Sequence, residues 1–334
     1  MTMEYAEALD ALTRQVDEAS DDEELAMALS RRAALYVASG DHEHAELDLK
    51  FSSDAWFRLD RPRDHGRSEY ARARVVAQAD LPRAVEYFRR AAALSRVGED
   101  TEYELKAREG IAAAKGALGD FEGSLAEYQA TADRLQQLGD GLALSANLRA
   151  QAALLQLVGR PNKALAAFDA AVDAAAEHPA AALEARIERR GQVNFTVQPD
   201  REPLDALVAE AQALGLPTLA GQARLQLAAE QLREGDPRTA AQTAELARQE
   251  ALEKVQPILY LMACITLAEA RETLGDRPGV IEILLTCKQT LQNHLGRDAA
   301  APVLKLLDAA EQRWGEQGMQ EALVVYRKRA ARPR

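Results

Sequence analysis

Five histidines, two cysteines and an abundance of carboxylates are the residues of this 334-residue sequence that could carry acid–base, nucleophilic or metal chemistry, and their spacing argues against all three. His42 and His44 stand two apart at the start of an expected helix. They therefore point to different faces and read as solvated surface, not as a pair of metal ligands. His65, His178 and His294 fall near expected breaks between helices and carry no further signal. Cys264 and Cys287 have no Cys or His at tetrahedral-site spacing and read as buried thiols in neighbouring helices. There is no phosphate-cradling glycine loop, no helix with histidines four apart and no nucleophile elbow. The glutamates are accounted for by solvated helix faces. No catalytic residue, metal site or cofactor is expected.

The composition belongs to a helix-forming chain. Apolar residues make up 47% of it and aromatics only 5%, with Ala, Leu, Glu, Arg and Gln prominent and little β-branched reserve for a sheet. A net charge of −12 and a pI near 5.1 work against a general attraction to nucleic acid or to an anionic membrane surface. The opening residues Met1 to Glu7 have no basic leader, and the apolar run from Ile258 to Ala268 is too short to span a bilayer. A cytoplasmic protein without membrane insertion is expected.

Something must nevertheless position these side chains, and the sequence shows what. A small residue followed by Asp recurs at Gly40-Asp41, Ala79-Asp80, Gly119-Asp120, Gly235-Asp236 and Gly275-Asp276, with Gly159-Arg160 and Pro199-Asp200 as imperfect copies. Successive spacings are 39, 40, 40, 40, 36 and 40 residues, the mark of a repeat array. Gly tolerates the left-handed conformation that ends one helix and Asp caps the next, so each marker reads as a helix–turn–helix corner. Five residues on stand Ala45, Ala84, Ser124, Ala164, Leu204, Ala240 and Val280. Large residues such as Leu49, Phe88, Tyr128 and Phe168 follow four later, and mostly small ones such as Ser52, Ala91, Thr131 and Ala171 three after that. Spacings of four and three keep all three on one buried face.

Seven residues before the marker, Ala33, Ala112, Ala152, Ala228 and Ala268 give the first helix its small contact, while Arg72 and Gln192 break the pattern. A second set of breaks, including Gly98-Glu99-Asp100, Gly139-Asp140, Gly215-Leu216-Pro217 and Gln256-Pro257, separates one pair from the next. The register predicts an all-α, right-handed α-solenoid of about seven to eight antiparallel helix pairs. Residues 1–20 would form a leading capping helix, 21–296 the array, and 297–334 a C-terminal helix pair around Trp314 and Gly318 with a basic tail. Irregular spacing blurs the boundaries between 186 and 217.

The small residue, the Gly-Asp corner and the Ala, aromatic, Ala series resemble the tetratricopeptide repeat, in its 40-residue variety like that of kinesin light chain, the maltose-regulon activator and Rap and PlcR-type regulators. Ala152, Gly159, Ala164, Phe168 and Ala171 form the clearest copy. In that family the first helix of each pair lines a concave groove. The resemblance therefore implies groove triads at Met27, Ser30, Ala34; Gly66, Glu69, Ala73; Lys106, Glu109, Ala113; Ala146, Arg149, Ala153; Arg186, Arg189, Val193; and Gln222, Leu225, Ala229. The groove would turn basic in its middle, where Lys106, Arg149, Arg186, Arg189 and Arg190 could take the carboxylates of an acidic segment, with Gln156 and Asn194 bonding its backbone. No Asn stands at Ala73, Ala113, Ala153 or Val193, where relatives that clamp a C-terminal carboxylate carry one. The expected function is a non-catalytic scaffold for a protein or peptide. The alternative is a peptide- or ligand-sensing regulator acting through a separate effector protein.

Overall fold

The computed structural model describes residues 3–193 and 202–331, and every element among them is helical. After α1 (Met3–Asp17) come the pairs α2 (Asp22–Ser39) with α3 (His42–Arg58), α4 (Pro62–Val76) with α5 (Leu81–Val97), α6 (Thr101–Ala117) with α7 (Phe121–Leu138), and α8 (Gly141–Leu157) with α9 (Pro161–Ala174). These fall in a compact unit, Met1–Glu177. A second, His178–Arg334, holds α10 (Pro179–Val193) with α11 (Leu204–Ala213), α12 (Pro217–Arg233) with α13 (Pro237–Glu253), α14 (Pro257–Thr273) with α15 (Arg277–Leu295), a 3-10 turn at Arg297–Ala300, and α16 (Ala301–Ala330). α16 is broken at Gly315, whose φ of 73° lies outside helical space.

The corners follow the local chemistry. Gly119 takes a φ of 86°, the Asp120 N–H donates to the Lys115 carbonyl at 2.9 Å, and the Asp120 carboxylate accepts the Gly123 N–H at 3.0 Å. One short segment thus satisfies the last carbonyls of one helix and the first amides of the next. Asp41, Asp236 and Asp276 repeat the arrangement. The repeat positions do what their sizes suggest. Ala45, Ala84, Ser124, Ala164, Leu204, Ala240 and Val280 are all buried, and so are the residues four and seven beyond them, from Leu49 and Ser52 to Leu284 and Cys287. Ala33, Ala112, Ala152, Ala228 and Ala268 are buried opposite them. The side chain of Gln192 and the Pro199-Asp200 marker lie outside what is described.

One corner departs from the rule, with consequences for every residue before it. Ala79 carries a Cβ and does not adopt a positive φ. There the Asp80 N–H reaches the Val76 carbonyl, four residues back, at 2.8 Å, where the glycine corners reach five back. The turn is one residue shorter and the whole of α4 is phased one residue later. The buried small residue is Ala73, fully enclosed, and the apparent exception Arg72 lies beside it with its guanidinium 4.2 Å from the Tyr87 ring centroid.

At the break between α5 and α6 the left-handed residue is Glu99, φ 55°, and not the glycine before it. Gly98 is required for a different reason, since a Cβ there would lie 2.5 Å from the backbone nitrogen of Arg63. Among the described residues no helix is long and apolar enough to cross a membrane.

Candidate functional site

The first helices of the pairs approach one another, α4 on α6 in the first unit and α10 on α12 on α14 in the second. Their remaining free faces form a surface in each unit, and the two surfaces differ in chemistry.

In the first unit the surface is cationic and aromatic. The phase shift of α4 buries Gly66, Glu69 and Ala73, expected in the groove, and presents Arg67, Tyr70 and Arg74 in their place. Glu69 is fully buried, accepting from the Ser53 hydroxyl with Arg90 Nε 3.8 Å away. Tyr103 is flanked by two cations, the guanidinium of Arg67 at 4.8 Å and the ammonium of Lys106 at 4.9 Å from its centroid, with Tyr70 edge-on at 5.4 Å. Lys106 is exposed but pairs with Glu102 one turn back at 2.5 Å, which holds its pKa above the usual lysine value. The half-buried Glu109 accepts from Asn147 Nδ2 at 2.9 Å, and Asn147 accepts in turn from Gln151. Burial pushes the Glu109 carboxyl above the ordinary carboxylate range. Arg149 is half-buried and is not free of partners within the chain. Gln156 is half-buried near the end of α8, where its carbonyl accepts the Gly159 N–H at 2.9 Å.

In the second unit the expected cations are bound up in the scaffold. Arg186 pairs with both Glu202 and Glu210, bridging from α10 to α11, and these carboxylates raise its pKa above the ordinary arginine value. Arg190, 3% exposed, donates to both carboxylate oxygens of Glu230 on α12 at 2.7 Å and to the Glu202 carbonyl at 2.9 Å. Arg189 is half-buried and also engaged within the chain. Asn194 lies outside the described residues. Arg186 and Arg190, predicted to meet a partner, thus tie α10 to its neighbours.

The open feature of this unit is apolar. A cavity of about 710 Å³ is walled by Leu225, Leu259, Ile258 and Met262 with the amides of Gln222 and Gln226 among them. Ile258 is 79% exposed and Met262 48%. Beside them Val255, 66% exposed, holds a φ of 53°. For a β-branched residue that conformation is an outlier costing about 1–2 kcal/mol. The corresponding corners elsewhere carry Gly139, Gly215, Asp60 and Glu99.

Sequence reasoning missed the arginines of α4 and α5, although their signal was present. Eight arginines stand between Pro62 and Val97 against four carboxylates, a local basic excess inside an acidic chain. It missed Val255, Ile258 and Met262 because the groove positions stopped one pair short of α14.

No protein-family profile and no curated protein matches the sequence. Solved structures do match. The apo form of RapI aligns with 82% of this chain and 93% of its own, with a TM-score of 0.53 and 13% identity. Aspartyl phosphate phosphatase F from Bacillus subtilis aligns with 94% and 93%, with a TM-score of 0.52 and 12% identity. A signal-transduction ATPase with a tetratricopeptide repeat sensor, from Pyrococcus horikoshii, aligns with 78% of this chain and 42% of its own, with a TM-score of 0.55 and 16% identity. The fold is a tetratricopeptide-like superhelix. Identities this low carry the architecture and not the activity.

Proposed function

We propose that the protein is a non-catalytic scaffold that holds a segment of another protein, or a peptide, against the first-helix face of its repeats. The observation that carries this reading is Val255. Neither the core nor the turn has a use for a valine at an exposed left-handed corner, where glycine or asparagine would be less strained. With Ile258 and Met262 it forms an exposed apolar rim on the 710 Å³ cavity, a surface suited to covering by a partner. The expected attraction to acidic segments draws no support from Arg186 and Arg190, whose donors are taken by Glu202, Glu210 and Glu230.

A photo-cross-linking residue placed at Ile258, with the same residue at Leu246 on α13 as an exposed apolar control, tests the reading in cells. A discrete adduct at 258 that is absent at 246 is expected. Equal adducts at both positions, or none at 258, would overturn it.

A further inference from the structure

The first unit has a cleft of its own. α2 and α4 do not close on one another as α4 and α6 do, and α3 forms the floor between them. Two cavities of about 300 and 360 Å³ lie side by side there, sharing Ser30, Leu49 and Ala71 in their walls. The floor is part apolar and part hydroxyl. Met27, Leu49 and Trp56 supply the first, and Ser30 and Ser68 supply the second, linked beneath the floor by hydrogen bonds of 2.9 and 3.0 Å to the fully buried Ser52. Arg31 and Arg67 stand at one cavity, whose wall also carries Asp64, 3.9 Å from Arg61, and Arg74 stands at the other. Arg31 and Arg74 are exposed and meet no carboxylate among the described residues. Arg67 gives its Nε to Asp100 at 2.7 Å. One guanidinium without an ion-pair partner thus lines each of two adjoining, mainly apolar cavities.

We propose that this cleft binds an acidic, partly apolar segment of a partner protein. Its carboxylates pair with Arg31 and Arg74, and an apolar side chain seats against Met27, Leu49 and Trp56. A guanidinium fork matches a carboxylate with two parallel N–H donors, and the half-buried Ser30 hydroxyl can donate to or accept from a peptide backbone. A polypeptide is favoured over a nucleic acid because the cavities are small and apolar-walled, and because the chain's net charge of −12 repels an extended polyanion. The inference rests on the scaffold reading but uses the other unit's face, so its failure leaves the Ile258 cross-link untouched.

Fluorescence anisotropy tests it on the full chain, with a labelled octapeptide of alternating leucine and glutamate, its leucine–glutamine counterpart, and an octathymidylate. The acidic peptide is expected to bind and the other two to bind at least about tenfold more weakly. Arg31→Glu with Arg74→Glu should weaken the acidic peptide by about tenfold or more, and Arg31→Gln with Arg74→Gln by less. Arg89→Glu with Arg96→Glu, an exposed pair on α5 lining a different cavity, should stay within about twofold. Unpaired exposed arginines do not hold the fold, so the thermal melt should be unchanged in the Gln variant. Equal binding of the glutamine peptide, tighter binding of the oligonucleotide, an equal loss in the control variant, or no binding of the acidic peptide at millimolar concentration would each overturn the proposal.

Discussion

Two arginines of the first unit stand open on its surface, and two on the corresponding helix of the second are locked into its seams. Arg31 and Arg74 project from first helices with no carboxylate partner, whereas Arg186 and Arg190 occupy the same kind of helix and are consumed by Glu202, Glu210 and Glu230. The residue type is the same and the roles are opposite. What differs is whether a neighbouring helix offers a carboxylate at the right height. A cation on a groove-facing helix is therefore no evidence of a binding site until its intrachain partners have been counted.

That contrast can be broken by mutation, beginning with the largest expected effect. Arg190→Met removes the buried guanidinium whose Nη2 donates to both oxygens of the half-buried Glu230 and should cost the second unit about 3–5 kcal/mol, read by denaturant unfolding. A loss as small as that of Arg74→Met, which should stay within about 0.5 kcal/mol, would erase the distinction. Val255→Gly should stabilise the chain by about 1 kcal/mol, through relief of the left-handed strain, while weakening the cross-link at position 258. A destabilised variant would show that the valine belongs to the core after all.

Glu109 supplies a pH test within the first unit. Its pKa is raised by burial, so the folded chain holds this proton to a higher pH than the unfolded chain does. Stability is then lost as pH rises from the unfolded value through the folded one. Glu109→Gln keeps an acceptor for Asn147 and should be more stable than the parent at neutral pH but no more stable in acid. Identical pH profiles for the two proteins would contradict this. The smallest effect is expected from Lys106→Ala, which removes an exposed one-turn pair with Glu102 and should move the melt by less than about 0.5 kcal/mol.

The scaffold was legible in the sequence because its grammar is local. A glycine that needs a positive φ, an aspartate three residues before the amide it caps, and small residues four and three apart each act over one or two helical turns. The corner at Gly119 could be read without knowing its neighbours. The face of α4 could not be read by counting, because the deciding event, the loss of one residue at Ala79, happens in the turn and shows only in the helix. Arg72 was the clue, an oversized residue at a position reserved for small ones, whose proper counterpart is Ala73. The pairing of Arg186 and Arg190 was hidden for another reason. Glu202 lies 16 residues from Arg186 in the segment before α11, Glu230 lies 40 residues from Arg190 on α12, and no spacing rule links them.

The short corner at Ala79 works as a phase setting. One residue of helix corresponds to a rotation of about 100°, so a single omission turned a different side of α4 outward while the stack kept its contacts. Seen this way, an α-solenoid has two sets of instructions. One is written in the helices and decides what packs. The other is written in the turns and decides which residues are shown, so a surface can be exchanged for another by editing a segment that never touches the partner.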